Sequence, residues 1–72
     1  MFNNHWNDWS GVNTYSTQFH LEKALIKFGL KKYLPLMVKT PDGRYTAIFG
    51  MSHVNGLDNL LYVDECNFKI MY

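Results

Sequence analysis

The chain has 72 residues, a single cysteine and a net charge of +1, with hydrophobic residues at 47% and aromatics at 17%. This length supports one domain spanning 1–72. With one thiol it has neither an intramolecular disulfide nor a Cys/His zinc cluster to staple it. The balanced charge argues against duplex nucleic acid or an anionic membrane as a partner, since both call for a clustered basic excess.

The first fifteen residues hold both tryptophans, Phe2 and Tyr15, with Asn3, Asn4, Asn7 and Asn13 between the rings. Phe2, Trp6 and Trp9 fall at i, i+4 and i+7, which predicts two helical turns over 4–10 ended by Gly11. Rings separated by amides suit a contact surface, because they cover area at low entropic cost while their polar neighbours stay satisfied when wet. They equally suit a plug for the open end of a small core.

Ser16 or Thr17 can cap an amphipathic helix over about 17–28. Its apolar stripe is Leu21, Ala24, Leu25 and Phe28, and Gly29 is placed to end it with Leu30 as the following apolar contact. Lys23, Lys27 and Lys31 repeat on the opposite side. From residue 33 the period changes to two. The pattern predicts strands at about 33–39, 44–53, 57–63 and 67–72, with Pro35 forcing the first to a sheet edge or to a later start. Thr40-Pro41-Asp42-Gly43 is a turn, and Asn55-Gly56 reads as a second hairpin turn. The expected architecture is α+β: an aromatic N-terminal segment and one helix packed on a four-stranded antiparallel meander.

No residue pattern defines a reaction. Cys66, His53 and Asp58 or Asp64 supply the residue types for nucleophilic catalysis, but no spacing brings them together. His5 and His20 have no second ligand at metal-type spacing, and the glycines are isolated turn glycines, so neither a metal nor another cofactor is expected. The enzyme class is therefore disfavoured. The expected contact residues are Phe2, Trp6, Asn7, Trp9 and Tyr15, and Lys23, Lys27, Lys31 and Arg44 are the candidate phosphate contacts. No stretch reads as a signal peptide or reaches spanning length, and a lone thiol fits a reducing compartment, so a cytoplasmic protein is expected.

In size and composition, though in no motif, the chain resembles accessory proteins of bacteriophages. That resemblance implies a counter-defence inhibitor in the host cytosol, acting by stoichiometric masking of a host protein. Two alternatives fit the composition: an oligomeric sponge holding a nucleotide-like small molecule in pockets between subunits, and a single-strand nucleic-acid binder using rings and lysines. A homodimer or higher oligomer is expected, because so apolar a chain has little interior in which to bury its side chains.

Overall fold

The computed structural model describes residues 9–72. The expected turns over 4–10, with Phe2, Trp6 and Asn7, lie outside the described residues except for their last positions. There Gly11 adopts a left-handed φ of 73°, and the Val12 amide donates to the Trp9 carbonyl at 3.2 Å.

Helix α1 spans Gln18–Phe28. The Thr17 hydroxyl caps it by accepting from the His20 amide at 3.1 Å, and Gly29 ends it at φ 71°. The Gly29 and Leu30 amides then return to the carbonyls of Ile26 and Leu25, a paired closure that drops Leu30 into the core. A single 3-10 turn at Lys31–Tyr33 follows and ends on Leu34 at φ 54°.

Strand β1 is Leu36–Lys39, so it begins after Pro35 and not at residue 33. The Thr40–Gly43 turn closes as expected: the Gly43 amide donates to the Thr40 carbonyl at 2.9 Å, and Gly43 sits at φ 87°. The Thr40 hydroxyl bonds the Asp42 carboxylate and also accepts from the Arg44 amide. Strand β2, Tyr45–Gly50, returns antiparallel in the register Leu36↔Ile48 and Lys39↔Tyr45.

Beyond Gly50 the expected meander fails. Met51–Val54 forms a short helix, α2, and Leu57–Glu65 forms α3 where a strand was expected. The Asn55-Gly56 pair supplies its positive φ values, 39° and 115°, to a helix–helix corner and not to a hairpin. Leu57, Leu60 and Leu61 have helical spacing as well as rough alternation, and leucine is a strong helix former. Asn59 reinforces the corner by donating to the carbonyls of Val54 and Asn55. Because a helical layer intervenes, the last strand, β3 at Lys69–Met71, returns parallel to β2 and not antiparallel. Among the described residues the result is a small α+β domain with three α-helices and a three-stranded mixed sheet ordered β1-β2-β3.

The core lies between the sheet and the helices. Leu21, Leu25 and Leu30 meet Ala47 and Phe49 of β2, Val54, Val63 and Phe68, and the Phe49 and Phe68 rings lie 5.6 Å apart. Residues 13–15 finish the sheet beside β2: Tyr15 and Tyr45 exchange amide–carbonyl bonds of 2.7 and 2.8 Å. Among the described residues no helix is long and apolar enough to cross a membrane.

Candidate binding face

Side chains alternate along a strand, so the core-facing Ala47 and Phe49 fix the opposite orientation for Thr46, Ile48 and Gly50. Their strand partners share that outer face: Leu36 and Val38 from β1, Lys69 and Met71 from β3. No helix covers it. At one end of this face lies an open groove of about 790 Å3. Leu34, Pro35 and Leu36 form one wall, Ile48 and Gly50 the floor, and Met51, Met71 and Tyr72 the far side. Gly50 carries no side chain between Ile48 and Met51, which leaves the floor open.

The polar members of the lining are Ser52, His53 and Asn55, and no lysine, arginine or carboxylate side chain joins them. Leu34 is 72% exposed, Leu36 57%, Met51 47% and Tyr72 85%, whereas Ile48 at 4% forms the buried floor. Exposed apolar side chains gathered in one concave place mark a binding site more than the same residues scattered singly.

At the other end of the outer face, the Lys69 ammonium lies 5.0 Å from the centre of the Trp9 ring. Trp9 also borders a smaller cleft of about 270 Å3 with Val12, Thr14 and the Thr40–Asp42 turn. This contact places Trp9 against the fold, and sequence reasoning missed its partner because sixty residues separate the two. Tyr15 is half-buried in its bridge to Tyr45, and burial, followed by the neighbouring Cys66, raises its phenol above the ordinary value.

The four basic candidates do not form one site. Arg44 is tied to Thr14, through Nε to the hydroxyl at 2.7 Å and through a terminal nitrogen to the carbonyl at 2.9 Å. Lys31 is ion-paired with Glu22, Lys23 lies over the Phe19 ring at 5.4 Å, and Lys27 is exposed on α1. Asn13 is also engaged within the fold: its amide and carboxamide donate to the carbonyls of Asn67 and Cys66, and its carbonyl accepts from the Thr46 hydroxyl.

The possible catalytic residues are likewise apart. His53 lines the groove, whereas Cys66 adjoins the phenols of Tyr15 and Tyr62. The Tyr62 hydroxyl donates to the Phe28 carbonyl at 2.9 Å, and loss of water first, then the Cys66 contact, raises its pKa. Among the described residues no group of three or more His, Cys, Asp or Glu side chains could hold a metal ion.

The groove residues were harder to read from sequence than the rings. Leu36, Ile48, Met51 and Met71 read as ordinary core material, and a meander with a helix on one face gave no reason to single them out. Comparison of the chain with family models, curated proteins and solved structures finds no match.

Proposed function

We propose that this protein is a non-catalytic binding protein that masks a partner protein stoichiometrically, with the outer-face groove as its contact site. One observation carries the reading: the groove is lined mainly by apolar side chains, and no cationic side chain is among its lining residues. A phosphate-bearing ligand would find no charge partner there beyond His53, whereas apolar side chains of a protein would gain from leaving water. Met51 and Met71 add adaptable, polarisable contact area suited to accepting a partner's side chains. The phage-like composition supports a counter-defence role for the masking.

The test is capture from host lysate followed by native mass spectrometry, comparing the unaltered protein with the variant M51E/M71E. Both side chains are exposed enough for the fold to tolerate the change. A fixed-stoichiometry complex that forms with the unaltered protein and is lost with the variant supports masking. A retained nucleotide-sized mass, or a complex indifferent to the variant, contradicts it.

A further inference from the structure

β1 is an edge strand, and its free side is defined by the hydrogen bonds on its other side. The Thr40 amide donates to the Arg44 carbonyl at 2.7 Å, so Thr40–Arg44 is a hydrogen-bonded pair. Pairs of this kind recur at every second residue of an antiparallel ladder, which makes Val38–Thr46 and Leu36–Ile48 bonded pairs too. Tyr45 agrees: it pairs in register with Lys39 but exchanges its backbone bonds with Tyr15 on the opposite side. The amides and carbonyls of Met37 and Lys39 therefore point away from the sheet. Pro35 and Pro41 occupy the flanking outward positions and have no amide hydrogen to offer.

We infer that this edge pairs with the same edge of a second copy of the chain, antiparallel, about a two-fold axis at Val38. In that register Met37 of each copy faces Lys39 of the other, so each outward amide meets an outward carbonyl and every free donor on the edge is used. The prolines meet each other at both ends, where no donor is lost. That bounded pattern suits a closed pair more than open-ended growth. The two sheets join into one, and both copies present their outer faces on the same side.

Three features of the edge favour a second copy as its occupant. The first is the self-complementarity of the register itself. The second is Leu34, a non-glycine residue at φ 54° whose side chain is 72% exposed, so its strained backbone holds an apolar group in water. The same register sets Leu34 against the Pro41–Asp42 turn of the second copy, which covers it. The third is charge: Lys39 is the only charged residue on the strand, and its ammonium is turned over its own Tyr45 ring at 5.8 Å. The pairing takes up Leu34 and Pro35 at one wall of the groove but not Met51 and Met71, so Met37→Pro tests the pairing and M51E/M71E tests the masking function.

Light scattering of the purified full chain over a wide concentration range tests the inference. It predicts a species of twice the 8.5 kDa chain mass. Met37→Pro removes an amide hydrogen that has no partner among the described residues, so the fold should survive. Loss of two symmetric hydrogen bonds should weaken the dimer by at least about tenfold. A second measurement avoids proline altogether. In a Cys66→Ala background, Val38→Cys should form an interchain disulfide under mild oxidation, because Val38 faces itself across the axis at a bridgeable separation. Lys39→Cys, which faces Met37, should cross-link poorly. A monomer at every concentration, or equal cross-linking at 38 and 39, would overturn the inference, as would a dimer unaffected by folded Met37→Pro.

Discussion

Leu34 adopts the left-handed conformation that glycine takes at no cost, and its side chain makes little use of the position within one chain. Leu34→Gly should therefore leave the isolated chain as stable as before, or more stable by about 1 kcal/mol, in a denaturant titration. A loss of that size would mean that the leucine packs within its own chain. Asp42 shows a different residue-scale effect. Its hydrogen bond from Thr40, and then the neighbouring Arg44 amide and guanidinium, hold its carboxyl below the ordinary value of 3.8. A depressed folded pKa gives stability that is present above the unfolded value and lost as pH falls through the folded one. Acid titration monitored by circular dichroism should accordingly show a shallower loss below about pH 4 for Asp42→Asn than for the unaltered chain. A steeper loss would contradict the assignment.

Among the elements, α1 was legible because independent signals agree on it: a capping threonine, a leucine stripe, and a glycine followed by a buried leucine. Thr17→Ala should cost about 0.5–2 kcal/mol of stability, read as a lower midpoint in thermal melts. The β1–β2 hairpin was legible for the same reason, since Pro41 and Gly43 each match the backbone their turn needs. Residues 57–63 were not legible. Leu57, Leu60, Leu61 and Val63 satisfy two periods at once, and the Asn55-Gly56 signal tips the choice towards a hairpin. That pair provides positive φ, which a helix–helix corner requires as much as a hairpin does. Once α3 is a helix, the parallel return of β3 follows, because only a crossover brings the chain back in that sense. Phe49, on the central strand against Phe68, carries much of this packing. Phe49→Ala should cost about 3–5 kcal/mol, comparable with what one core of this size supplies, and leave no cooperative melting transition. A transition within a few degrees of the original would contradict that.

At the scale of the whole molecule, the described residues leave one sheet face without a helix, and part of the exposed apolar surface, Leu34, Leu36, Met51 and Met71, lies along the groove there. The aromatic N-terminus drew attention in the sequence because its rings are dense. Within the described residues, however, Trp9 lies against Lys69 and Tyr15 is held by Tyr45. The groove at the other end of the face is built from residues that sequence alone assigns to a core: strand pairing and the chain reversal at Gly50 bring them together. A near-neutral chain whose groove is lined by no Lys, Arg, Asp or Glu side chain is suited to short-range apolar recognition, whose affinity should depend little on salt. The most direct test is the dissociation constant of the captured partner for the unaltered protein and for M51E/M71E, with folding checked by thermal melts. Masking through the groove predicts at least about a tenfold loss of affinity with an unchanged melt, as expected when a charge is forced into an apolar contact. Equal affinity for the two proteins would contradict it.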